Sequence, residues 1–166
     1  MDQQLLQAAD TLGSLLKKKE LRLATAESCT AGLVAMSLGA ASGSSAFFTS
    51  GFVTYCDSAK HRILNVREDT LKKHSAVSEE TVREMVVGAQ HLSGEAVSLA
   101  ISGYAGPEGG EDGTPAGTVW FAWGLPGERT VAEVQAIAGP PETVIHTAAL
   151  YALRRLTALL SADPPQ

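Results

Sequence analysis

Cysteine is scarce in this chain: Cys29 and Cys56 are the two among 166 residues. Two thiols cannot build a disulfide scaffold or a four-thiolate zinc site, and a reducing, cytoplasmic compartment is the simplest expectation. No apolar run approaches the roughly 18 residues that a membrane-spanning helix needs. The start, Met1-Asp2-Gln3-Gln4, has no basic stretch leading into an apolar core, so no signal peptide is read there. Basic charge is in the minority: 13 Lys and Arg against 18 Asp and Glu give a formal net charge of -5. The one basic cluster, Lys17-Lys18-Lys19, falls near the end of a predicted helix, where cations face the free carbonyls. Neither nucleic acid nor a membrane is therefore expected as a partner. Histidines, cysteines and carboxylates nowhere cluster at ligand spacing, and neither a Gly-x-Gly-x-x-Gly fingerprint nor a Walker loop is present. No metal and no cofactor are expected.

What the chain does have is an ordinary globular balance, 45% hydrophobic and 19% charged, enough for one domain spanning 1–166 with a sizeable core. Leu5, Leu6, Ala9, Leu12, Leu15 and Leu16 recur at helical spacing and predict a helix over 2–19. Residues 21–26 read as a buried strand, followed by a tight turn at Glu27-Ser28-Cys29-Thr30 and a helix of small and apolar residues over 31–41, capped by Thr30 or Ser28. A second strand is expected over 47–55, then a short helix capped by Asp57 or Ser58, and a helix opening at Ser78 and running to Leu92. Residues 96–101 form a nearly all-apolar strand, followed by a glycine-rich loop to Pro115. Residues 117–123 and 129–137 pair as a hairpin around Pro126-Gly127, and a helix over 141–160 precedes a frayed tail at 162–166. Helices and strands that alternate early and a hairpin that comes late predict an α/β fold, a three-layer α/β/α sandwich with a mixed sheet.

Ser28 lies between a strand and a helix, where ligands gather in open α/β sheets and unpaired helix N–H groups can stabilise an oxyanion. Position alone favours a helix cap over a nucleophile. Cys29 is a rival nucleophile, since a helix start lowers a thiol pKa, although a lone cysteine more often serves as a small buried residue. None of His61, His74, His91 and His146 makes a recognisable triad with Ser28. A lysine made neutral by burial can replace histidine as base. Lys60 is the candidate: it follows Tyr55 by five residues across a strand end and a helix start, which lets both side chains point toward one site. Taken singly, Lys60 reads as a surface lysine. The loop at 102–110 follows a central strand, where glycines let backbone amides cradle a phosphate or ribose; a purely structural loop is the other reading.

The segments Thr25-Ala26-Glu27-Ser28-Cys29-Thr30-Ala31-Gly32, Gly43-Ser44-Ser45-Ala46-Phe47-Phe48, Gly51-Phe52-Val53-Thr54-Tyr55, Ala59-Lys60, Ala76-Val77-Ser78-Glu79, Ile101-Ser102-Gly103 through Gly110, and Pro115 to Ala122 occur in this order over nearly the whole chain. Together they resemble the CinA C-terminal domain, or nicotinamide-nucleotide amidase (PncC-like), family. The resemblance implies hydrolysis of the carboxamide of nicotinamide mononucleotide to nicotinate mononucleotide and ammonia. It implies Ser28 as nucleophile, Lys60 as base and Tyr55 assisting proton transfer. Substrate contacts would come from Glu27, Cys29, Thr30, Ser102, Gly103, Ala105 and Gly106. It also implies a small-molecule pyridine nucleotide as partner, no cofactor or metal, and a homo-oligomer. Where members similar to this one carry a Gly-Asp-Arg stretch, this chain has Gly139-Pro140-Pro141-Glu142, and Tyr104 replaces a smaller residue. The alternative is a paralogue of the same fold that binds a nucleotide or pyridine-type ligand without turnover.

Overall fold

In the computed structural model, which describes residues 1–162, five strands form one sheet in the order β2-β1-β3-β4-β5. Helix α1 (Gln3–Lys18) leads into β1 (Leu23–Glu27), α2 (Leu33–Ala40) and β2 (Phe48–Val53). Then come α3 (Asp57–Leu64), α4 (Glu68–His74), α5 (Glu79–Ser93), β3 (Val97–Gly103), β4 (Thr118–Leu125), β5 (Arg129–Ala136) and α6 (Pro141–Ala162). Strands β1, β2 and β3 run parallel, and β4 and β5 add antiparallel neighbours, so the sheet is mixed. With helices on both faces, the molecule is the three-layer α/β/α sandwich that the alternation of elements predicts.

The two faces of the sheet differ in side-chain size, and that difference builds the site. Because successive strand residues point to opposite faces, Leu23, Val97, Leu99, Ile101, Val119, Phe121 and Trp123 meet α1, α2 and α6 on one side. Ala24, Ala26, Ala100 and Ala122 face α5 and the end of α3 on the other. The first side buries large side chains at roughly 1.5–3 kcal/mol each. The second supplies little bulk, so α5 approaches the sheet closely, and the Ser98 hydroxyl donates to the Val86 carbonyl at 3.0 Å. The same closeness holds between helices: a β-carbon at Gly88 would stand 2.0 Å from the Leu64 carbonyl oxygen, so only glycine lets α3 end against α5.

Three local expectations are corrected. Helix α2 starts at Leu33, not at Ala31, and neither Ser28 nor Thr30 caps it; Gly32 occupies the capping position with φ +100°, without a side-chain bond. The capping position of α3 is Cys56, with Asp57 already in the first turn. Helix α4 falls in a stretch for which no helix was expected, and its polar sequence explains the omission: among its seven residues only Thr70 is buried. The helix cap at Ser78 holds, its hydroxyl accepting from the Thr81 amide. The expected frayed tail at 163–166 lies outside the described residues, while Ala162 ends α6.

Candidate active site

The C-terminal ends of the three parallel strands bring three hydroxyls into one row. Ala26, Phe52 and Ala100 face α5. Two positions further along their strands, Ser28, Thr54 and Ser102 share that face. Backbone bonds lock the row: the Ser28 amide donates to the Ile101 carbonyl at 3.0 Å and the Thr54 amide to the Glu27 carbonyl at 2.9 Å. All three residues are buried, Ser28 at 6% exposure retaining a small opening. The Thr54 and Ser102 hydroxyls make no hydrogen bond among the described residues.

Lys60 reaches this row from α3. Its side chain is 1% exposed, and its Nζ lies 3.0 Å from Ser28 Oγ, 2.9 Å from the Thr54 carbonyl and 3.2 Å from the Tyr55 carbonyl. Burial pushes the amine below the usual lysine value, against a smaller opposing pull from Asp57. A neutral amine has two N–H bonds and one lone pair. Nζ donates to Ser28 Oγ and to both carbonyls; losing the proton on the Ser28 side would free a lone pair toward that hydroxyl, as a general base requires. Ser28 Oγ also lies 3.3 Å from the Tyr55 carbonyl. Tyr55 thus enters the centre through its backbone; its side chain is 67% exposed.

Glu27 is fully buried, and its carboxylate is bonded within the fold. It accepts from the Thr30 hydroxyl at 2.6 Å and from the Val34 and Ala35 amides at 2.9 and 3.0 Å. These amides belong to the first turn of α2, so Glu27 does what a capping side chain does, from the strand before the turn. Between them the chain turns sharply: Ala31 has φ +50° and Gly32 φ +100°. Ala31 donates to the Ser28 carbonyl and Leu33 to the Thr30 carbonyl. Among the described residues the amides of Cys29 and Thr30 donate to no backbone carbonyl.

The neighbouring thiol is poorly suited to attack. Cys29 is buried, and that burial pushes its pKa up to about 11, which suppresses the thiolate on which its reactivity depends. The Gly103 backbone opposes part of that rise, which puts the start of the glycine-rich loop near the Ser28 turn. Gly103 itself packs tightly on β4; a β-carbon there would come 2.8 Å from the Thr118 carbonyl oxygen. Ala105 packs against the large-residue core, and Gly106 faces Ala116 and Pro141.

Broader surface grooves lie elsewhere, one around Thr11 and Arg154 and another around Ile63 and Val87. Neither joins a nucleophile to a base, so the site is located by the Ser28–Lys60 geometry. Among the described residues no group of three or more His, Cys, Asp or Glu is placed to hold a metal ion, and no helix is long and apolar enough to cross a membrane. What sequence reading missed is Thr54, whose carbonyl anchors Lys60. The two-residue period from Phe52 would have put it beside Ser28.

Residues 5–160 match the family model of the CinA C-terminal domain. The chain belongs to the CinA C-terminal domain family. Within that family it is 50% identical over 149 residues to Protein YdeJ of Escherichia coli K12, covering 90% of this chain and 86% of that protein. It is 41% identical over 155 residues to the nicotinamide-nucleotide amidohydrolase PncC of the same organism, covering 93% and 94%. The CinA-type fold is equally close in space: a crystal structure described as the competence damage-inducible protein A of Klebsiella pneumoniae superposes with a TM-score of 0.94 at 46% identity. That match covers 96% of this chain and 99% of the other.

Proposed function

We propose that the chain is a nicotinamide-nucleotide amidohydrolase, hydrolysing the carboxamide of nicotinamide mononucleotide to nicotinate mononucleotide and ammonia through a Ser28 nucleophile and a Lys60 base. The observation that carries the reading is the buried Lys60 amine, 3.0 Å from Ser28 Oγ and tied to two carbonyls. Relatives named nicotinamide-nucleotide amidohydrolase at 41–43% identity supply the substrate class.

Lys60 takes the hydroxyl proton as Ser28 Oγ attacks the carboxamide carbon. The carbonyl π electrons move to oxygen, and the resulting oxyanion is held by the Cys29 and Thr30 amides, a contribution of about 3–4 kcal/mol per donor in well-characterised cases. The Lys60 ammonium, stabilised in passing by the Thr54 and Tyr55 carbonyls, returns its proton to the departing nitrogen; the C–N bond breaks and ammonia leaves. A water then gives its proton to Lys60 and attacks the acyl ester. The collapse of that second intermediate releases the acid and restores the Ser28 hydroxyl. Tyr55 contributes its carbonyl to Lys60 and Ser28, and its exposed phenol is the group that the resemblance would have assist proton transfer. Glu27 and Thr30 hold the turn, and Ser102 flanks the nucleophile.

Ammonia release from nicotinamide mononucleotide tests the reading. Ser28→Ala and Lys60→Met are each expected to remove turnover while circular dichroism stays that of the parent. Full activity in Ser28→Ala would sink the serine mechanism.

A further inference from the structure

Of the three hydroxyls in the row at the strand ends, the one on Thr54 has no part in the steps above. Thr54 follows directly on β2. Its amide donates to the Glu27 carbonyl at 2.9 Å, which extends the pairing of Glu27 with Val53 by one step and sets Thr54 beside Ser28. Its carbonyl receives the Lys60 amine at 2.9 Å. The residue is fully buried, and its hydroxyl makes no hydrogen bond among the described residues. Only a few covalent bonds separate that hydroxyl from the carbonyl on which Nζ rests, so it lies close to Nζ on the face it shares with Ser28.

A buried hydroxyl without a partner lowers stability, because it gives up its bonds to water and receives none in return. Valine has nearly the shape of threonine and would fill the same space without that cost. The resting arrangement therefore gives no reason for an oxygen here, and the reaction does. The polar side-chain atoms beside it are Ser28 Oγ and Lys60 Nζ, which at rest bond each other at 3.0 Å. These are the two atoms whose bonding changes when the substrate reacts.

We infer that the Thr54 hydroxyl holds the water that hydrolyses the acyl ester. The inference rests on the serine–lysine reading above and adds a positioning residue to it. Acylation ties Ser28 Oγ to the substrate and ends its bond to Nζ. Ammonia then leaves from beside Nζ, which has just given it a proton, and a water takes the same place. One O–H of that water points to Nζ and the other to Thr54 Oγ1, while its oxygen attacks the ester carbon. The first proton passes to Nζ, and from there to Ser28 Oγ as the ester C–O bond breaks. Thr54 neither gains nor loses a proton. A bound water needs roughly two to four polar partners, and Nζ is only one. The leaving nitrogen depends less on the hydroxyl, because the substrate holds it covalently in place.

The full chain and its Thr54→Val and Thr54→Ser variants are run at saturating nicotinamide mononucleotide, quenched in acid and weighed by intact-protein mass spectrometry. At steady state the ratio of acylated to unacylated protein equals the ratio of the acylation and deacylation rates. Thr54→Val keeps the carbonyl under Lys60 and removes the hydroxyl. It is expected to raise that ratio about tenfold, the worth of one hydrogen bond of ordinary strength. Its kcat/KM for ammonia release, which reports acylation, is expected to stay within about twofold of the parent. Its melting temperature should equal or exceed that of the parent, since an unpaired buried hydroxyl is gone. Thr54→Ser should restore the parental ratio. An unchanged ratio, no detectable acylated protein in Thr54→Val, or a fall in kcat/KM as large as the rise in the ratio would overturn the inference. So would Thr54→Ser behaving as Thr54→Val, or a lower melting temperature in Thr54→Val, which would make the hydroxyl structural. Each of these leaves the amidase reading standing, whereas no ammonia from the parent chain overturns both.

Discussion

In the proposed mechanism Lys60 is the residue on which the chemistry turns, because its proton decides whether Ser28 can attack. An ordinary lysine titrates at 10.5, and burial lowers this one. The deprotonated fraction grows with pH, so kcat/KM for ammonia release should climb with pH through an apparent pKa below 10.5. The same shift bears on stability. Between the lowered folded value and the unfolded value of 10.5 the unfolded chain binds the extra proton, so this group's contribution to stability improves as pH rises through that window and is least favourable below it. Lys60→Arg should release no ammonia at any pH, since a guanidinium stays charged. Retained activity with a flat profile would dismiss the lysine as base. In the same assay Cys29→Ala should keep its turnover. A loss on the order of a million-fold, as when a catalytic nucleophile is deleted, would transfer that role to the thiol.

At the level of elements, the site depends on how close α3 lies to α5. The contact is backbone on backbone, with the Leu64 carbonyl lying where a side chain at residue 88 would begin. Gly88→Ala should push α3 outward, lower the melting temperature and reduce ammonia release, because Lys60 rides on α3. Gly39→Ala is the control: it lies in α2 with nothing within 4 Å of the added carbon, and should be neutral or stabilising by up to about 1 kcal/mol. If both variants melted alike and kept full activity, the close approach would not be what holds Lys60. The order of elements was legible in the sequence because most helices and strands carry a clear apolar period, as in α1 and β3. Helix α4 was not, being polar along most of its length. The role of Glu27 was hidden for another reason. Its carboxylate meets amides seven and eight residues ahead, and no local pattern announces a cap supplied from a strand. Taken singly Lys60 reads as a surface lysine, and only the resemblance made it a base; the packing of α3 on the Ala-lined face puts it at 1% exposure.

For the molecule as a whole, the proposed active centre is a meeting of distant parts: Ser28 from the end of β1, two carbonyls from the exit of β2, an amine from α3, and α5 behind them. Helices can form from local contacts, but this junction needs the parallel β1–β2 pairing and the docking of α3 and α5. On dilution from denaturant, ammonia release should therefore recover later than the far-ultraviolet helical signal. Simultaneous recovery would show the junction to be part of the earliest structure. The burial of Lys60 carries a wider consequence. In the unfolded chain that residue has an ordinary lysine pKa, and only the folded chain, by burying the amine, lowers it. Excluding water at the α3–α5 wall disfavours the ammonium form, and admitting water removes that bias. Any event that loosens that wall, whether a mutation, heat or a ligand in the groove beside Ile63, would act as an inhibitor without touching Ser28.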